Sequence, residues 1–280
     1  MVNGGKAFCT THGRLCKITH SSKPGRTKIN AAGPVCISFS AMGKRGRDSD
    51  AATWSTHVAY FEHVAPAHEC LIVENVPEYS EMLVLKCLKK SGYSWQAKSL
   101  RIDPRVLGLG CARARLYMVI FRTDIFRWEP NFTLEQLVDC LAGQVALSAG
   151  SYYWAKLPPE KNRQDYRRTT KLQFMDLSQY PKNGRGRGET KDGALPTLTT
   201  TTGSLWSEAH QRCLSSDELL SSHVLPVTRA QATKCHSPRL KFDGCSNASK
   251  VKMAGNGMSV PCMGVAMMGA AIALERIDGS

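Results

Sequence analysis

The sequence predicts an α/β protein, and three observations carry that prediction. Short apolar runs alternate with stretches of helical periodicity through the first half of the chain. One run, CLIV at 70–73, is apolar at every position, as suits a strand buried on both faces. Two helix-capping signals then stand in the second half, at 133–136 and 215–218.

In order, a short strand at 27–32 leads into the turn GPVC, and a helix is expected over 54–64. The strand at 70–73 follows, then a helix over 80–90 with Met82, Leu83, Leu85 and Leu88 spaced for one buried face. Further strands are expected at 94–102 and 116–121. This order of strands and helices implies an α/β sheet rather than a bundle or a sandwich. After Arg122 the capping box at Thr133 opens a helix expected to run to about Ala149. Residues 158–190 are polar, basic and poor in aliphatic side chains, a mobile or nucleic-acid-facing stretch. Structure resumes at LPTLTTTTG, and the box at Ser215 opens a helix through about Ser222.

Lys and Arg outnumber Asp and Glu by 37 to 23 in 280 residues, a formal charge of +14. Such an excess favours a polyanionic partner, because each neutralised phosphate releases a counterion. The eleven cysteines are scattered and odd in number, and no apolar core follows Met1 as in a secretory signal. Reduced thiols and an intracellular location are the expectation. Residues 257–274 carry no charge and are about long enough, if only just, to span a bilayer. Their Gly- and Ala-rich spacing favours a helix packed inside a domain, so no membrane partner is expected. Cys9, His12, Cys16 and His20 stand within twelve residues but match no standard zinc spacing. Cys235, His236 and Cys245 are weaker still, and no metal site is expected.

Four segments carry chemistry. GPVCISFSAMGKRGRDSD places Cys36 in a turn after a strand, with Pro34 two positions before it. ECLIVENVPEY puts Glu74 and Asn75 at the end of the buried strand. GLGCARARLYMVIF sets Arg113 and Arg115 just before a strand. Late in the chain come LPTLTTTTG, RCLSSDELLSSHVLP and AGNGMSVPCMGVAMMGAAIAL, with Asn256, Val260 and Pro261.

In this order the segments resemble the conserved blocks of the DNA cytosine-5 methyltransferase family. The resemblance covers about 29–121 and 194–274. It implies a partial doubly wound, Rossmann-like methyltransferase fold with a small variable recognition insertion. The corresponding regions are 1–28, a Cys/His segment; 29–123, catalytic; 124–192, the insertion; and 193–280, the returning blocks. It implies transfer of a methyl group from S-adenosylmethionine to carbon 5 of a flipped cytosine through a cysteine adduct.

Cys36 would then be the nucleophile and Glu74 the acid at N3, with Asn75 holding the Cys36 loop. Arg113 and Arg115 would position the base. Pro34, Asn256 and Val260 would line the cofactor side. Ser40, Lys44, Arg45 and Arg47 would contact the nucleic acid. In the insertion, Arg163, Arg167, Arg168, Lys171, Arg185 and Arg187 are candidate phosphate contacts.

The implied partner is DNA, with RNA as the alternative polymer, and the implied location is nuclear. The match departs from the pattern at Ile37 and Cys111, where the family has Gln, and Val35 interrupts its Pro-Cys dipeptide. No Phe-x-Gly-x-Gly cofactor strand precedes Cys36. Either a separate chain or an upstream segment supplies it, or the protein has lost cofactor binding of its own. The alternative reading is a non-catalytic, DNA-binding relative.

Overall fold

The computed structural model describes residues 6–9, 14–17, 27–34, 51–157, 173–177, 187–188, 192–200 and 204–277. Strands β1 (Lys6–Cys9) and β2 (Arg14–Lys17) pair antiparallel at the start. The central sheet then begins with β3 (Ile29–Ala32). Helix α1 (Ala51–Ala59) passes into a π-helical turn at Tyr60–Val64, so the helix expected over 54–64 starts earlier and changes its winding midway. Next come β4 (Cys70–Asn75), α2 (Glu81–Lys89), β5 (Trp95–Ile102) and β6 (Arg115–Arg122).

The sheet order is β3-β4-β6-β5. β3 and β4 run parallel, while β6 is antiparallel to both β4 and β5. All six residues of β4 are buried, because side chains on both faces meet helices. On one face Leu71, Val73, Met118 and Ile120 pack with Phe61 and with Val84, Cys87 and Leu88 of α2. That corrects the expected face of α2. Ser80 caps the helix, yet Met82 is 80% exposed and Val84 takes the buried position. The docking direction was set by the sheet, which the apolar spacing within one helix does not encode.

β7 (Phe126–Trp128) and α3 (Leu134–Leu141) cover the other face with Leu134, Val138, Phe126 and Trp128. Both hydrogen bonds of the Thr133 capping box form: Gln136 N donates to Thr133 Oγ1 at 3.3 Å, and Thr133 N to Gln136 Oε1 at 2.8 Å. The helix stops at Leu141, short of the expected Ala149. Gly143 turns with φ +74°, and the extended chain beyond it docks on two further glycines. Leu147 N donates to Gly108 O at 2.8 Å, and a Cβ on Gly108 would lie 1.5 Å from Val145 O. Backbone-on-backbone contact of this closeness admits only glycine.

A second core lies under a small antiparallel sheet, ordered β11-β10-β8-β9. Its strands are β8 (Phe174–Asp176), β9 (Arg187–Gly188), β10 (Leu205–Ser207) and β11 (Arg212–Cys213). The LPTLTTTTG segment contributes a single parallel bridge, Leu195 to Cys111, within the described residues. Helices α4 (Ser216–Ser221), α5 (Arg229–Lys234) and α6 (Asn247–Asn256) follow.

Helix α7 (Val260–Ala273) and β12 (Leu274–Arg276) return to the central domain, where β12 pairs with β7. Cys262, Val265, Ala266, Ala270 and Ala273 enter the first core, so α7 is the packed helix its composition predicts. Its other side shows Val260, Met267, Met268 and Ile272 to solvent. No single helix among the described residues is long and apolar enough to cross a membrane. α6 and α7 together, bent by 43°, match a broken span by length and composition alone.

Candidate functional site

The parallel strands β3 and β4 end side by side, and the candidate site stands beyond their carboxyl ends, where open α/β sheets bind ligands. Glu74 and Asn75 are the last two residues of β4, and Gly33 and Pro34 follow β3. Asn75 Nδ2 donates to Pro34 O at 3.2 Å, and its Oδ1 accepts from Val76 N at 2.9 Å. That side chain therefore ties Pro34, two residues before Cys36 in the sequence, to the strand carrying Glu74. Gly33 lies close against the carboxylate: a Cβ there would stand 3.3 Å from Glu74 Oε2.

Antiparallel pairing sets Tyr117 opposite Glu74 and so brings the start of β6 alongside the acid. Arg115 Nε lies 3.1 Å from Glu74 Oε1. The N–H is poorly aimed at that oxygen, so the contact is charge proximity more than a directed hydrogen bond. Arg115 also donates from Nη1 to Ala114 O at 2.7 Å. Burial raises the Glu74 carboxyl above the ordinary range, and Arg115 and Arg113 offset part of that rise. A carboxyl so placed tends to keep its proton yet sits beside a cation able to stabilise it once the proton leaves.

Arg113 is differently employed. It is buried, donating from Nη1 to Leu198 O at 3.2 Å and from Nη2 to Gly255 O at 3.1 Å. Its backbone N–H meets Asp103 Oδ2 at 3.2 Å. The side chain thus joins the central sheet to the segments at 198 and 255. Cys111, which stands where the family has Gln, is buried, with its thiol donating to Ser222 O at 3.3 Å. Burial pushes that thiol to about 11, which makes it a packing group rather than a nucleophile.

Two buried groups escaped the sequence reading. His223 is 2% exposed and donates from Nε2 to Ala254 O at 2.7 Å, while its own carbonyl accepts from Val260 N at 3.1 Å. It holds the break between α6 and α7. Burial, then Arg113 and Arg115, lower its pKa to about 4, against the Ala254 bond. The folded pKa is depressed, so its contribution is present above about 6.5 and lost as pH falls toward 4. The expected cost of acidification across that window is about 3 kcal/mol. Thermal melts at pH 7 and 4.5 test this: His223→Gln, which keeps the donor, should flatten the pH dependence.

The second group is the Arg212–Glu218 pair, bonded at 2.8 Å through both Nη atoms and with Glu218 fully buried. Glu218 also accepts from Ser215 N at 2.7 Å and Ala155 N at 2.6 Å. The resemblance includes an Arg and a Glu at these positions, but a capping box alone does not show that they meet.

Asn256 and Val260, expected on the cofactor side, are exposed at the α6–α7 break, and Pro34 is half-buried. Cys36, Ser40, Lys44, Arg45 and Arg47 lie outside the described residues, as do His12, His20, Arg163, Arg167, Arg168, Lys171 and Arg185. The side chains of Cys9, Cys16 and Arg187 do too. Among the described residues no group of three or more His, Cys, Asp or Glu is placed to hold a metal ion.

No protein-family model matches the sequence, and no curated protein matches it either. Solved structures do. The S. pombe Dnmt2 methyltransferase aligns over 86% of this chain and 77% of its own, at 14% identity and TM-score 0.50. The Entamoeba histolytica methyltransferase EhMeth aligns over 87% and 76%, at 14% identity and TM-score 0.54. An E. coli prophage protein described as a DNA modification methyltransferase aligns over 87% and 78%, at 11% identity and TM-score 0.56. The chain therefore has the fold of these methyltransferases.

Proposed function

We propose that the chain carries the base pocket of a cytosine-5 methyltransferase acting on DNA. The observation that supports this best is the constellation at the end of β4. A buried carboxyl with a raised pKa stands beside Arg115, and Asn75 holds the loop that leads to Cys36.

In this reading a cytosine extruded from the stack enters beside Glu74. The Cys36 thiolate adds to carbon 6 and forms an S–C6 bond. The C5=C6 π pair becomes the C4=C5 bond, the C4=N3 π pair moves onto N3, and Glu74 gives its proton to N3. The adduct is then a neutral enamine, with Arg115 at the pyrimidine O2 and carbon 5 nucleophilic. S-adenosylmethionine is the methyl donor that the fold implies. Asn256, Val260 and Pro34 would offer it one wall, and we assign the rest of its pocket to a separate chain. Ser40, Lys44, Arg45 and Arg47 follow Cys36 and belong to the nucleic-acid contact, and a nuclear location goes with this reading.

The test is trapping. An oligonucleotide carrying 5-fluorocytosine, with the methyl donor present, should form a denaturation-resistant adduct with the wild type and none with Cys36→Ser. Absence of an adduct in the wild type would favour the non-catalytic relative. An adduct on RNA but not DNA oligonucleotides would change the polymer.

A further inference from the structure

A groove of about 600 Å³ lies at the far end of the central sheet, lined among others by Met82, Lys86, Lys89, Tyr93 and Trp95. It opens where β5 begins, whereas Glu74 and Arg115 stand where β5 ends, because Trp95 pairs with Arg122 and Ile102 with Arg115. Seven strand steps separate the two, on the order of 23 Å.

The lining is both aromatic and cationic. Tyr93 is 41% exposed, and the Arg122 guanidinium lies 3.6 Å from its ring centroid. Trp95 is held in orientation, since Nε1 donates to Ser91 Oγ at 3.1 Å and that hydroxyl donates to Leu88 O at 2.6 Å. An aromatic ring fixed before binding loses little freedom on contact.

The charges have one sign. Lys86 and Lys89 extend from the last turns of α2, and among the described residues no carboxylate lines the groove. The nearby acids are engaged: Glu62 with Lys90 at 2.7 Å, and Asp124 with Arg122 at 3.0 Å.

We infer that this groove binds a single-stranded stretch of nucleic acid flanking the target, with bases stacked on Tyr93 and Trp95 and phosphates on Lys86 and Lys89. An unpaired strand is favoured because a stacking platform needs free base faces, which a duplex withholds. The inference deepens the nucleic-acid reading of the Glu74 site and rests on it for the target.

Fluorescently labelled oligo(dT) of twelve nucleotides is the probe. It contains no cytosine, so its binding is independent of whether Cys36 reacts. The double variant Lys86→Ala/Lys89→Ala should weaken binding about tenfold and lower the slope of log K against log salt by about 1.4, two phosphate contacts at roughly 0.7 each. Tyr93→Ala should weaken binding without changing the slope, and Tyr93→Trp should restore it. These side chains are solvent-facing, and circular dichroism confirms folding of each variant.

Unchanged affinity in both the lysine and Tyr93→Ala variants overturns the inference, as does equal competition by an oligoglutamate peptide. If oligo(dT) binds through the groove while the 5-fluorocytosine adduct never forms, the groove stands and the catalytic reading falls.

Discussion

Glu74→Gln is expected to slow adduct formation with a 5-fluorocytosine oligonucleotide by a factor of about 10² to 10⁴, the usual contribution of a positioned proton donor. Glutamine preserves the size of the side chain and can hydrogen-bond the ring, but it cannot release a proton to N3. The pH profile separates this role from a structural one. Burial raises the Glu74 pKa, so the acid form persists above the ordinary carboxyl range and is lost as pH rises through the raised value. The wild-type rate should fall along that limb, and the limb should be absent in Glu74→Gln. Stability runs in the matching sense: a raised carboxyl stabilises the fold fully below its unfolded pKa and loses that contribution as pH rises through the folded one. The variant should therefore be at least as stable as the wild type at neutral pH. A Glu74→Gln protein that forms the adduct at the wild-type rate removes Glu74 from the chemistry.

Glu218→Ala should be among the most destabilising single substitutions in the second core. Burial alone would raise its carboxyl, yet the bonds from Arg212, Ala155 N and Ser215 N outweigh that and hold it below the usual range. Its removal strands a guanidinium that is itself 4% exposed beside Tyr153. Breaking a buried pair in this way costs about 3–5 kcal/mol, a large share of the 5–15 kcal/mol typical of a whole domain. Urea unfolding measures it. The paired change Arg212→Met/Glu218→Leu should recover much of the loss, because no uncompensated charge remains. A single-variant cost under about 1 kcal/mol would show that the pair holds little.

Much of the central domain was legible in the residues themselves. β4 was read from its unbroken apolar run, and both capping boxes formed with the hydrogen bonds their spacing implies. The composition of α7 was equally direct. The misses share a cause. The helix after Leu134 stops early because its continuation is drawn onto Gly108, which is distant in sequence. Met82 is exposed because the sheet, not the helix, chooses the docking face.

The site divides along the same line. By itself the sequence determined that a carboxylate and an amide end a buried strand, that two arginines precede another, and that the chain is strongly basic. Those are local patterns, set by strand burial and side-chain type. Only the tertiary structure decided which arginine serves the carboxylate. Register pairs Glu74 with Tyr117 and so brings Arg115 alongside, while Arg113, two residues earlier, turns to the carbonyls of Leu198 and Gly255. Likewise only packing could bury His223 at the α6–α7 break or join Arg212 to Glu218. Contacts between residues distant in the chain depend on how elements dock, and no local pattern carries that information.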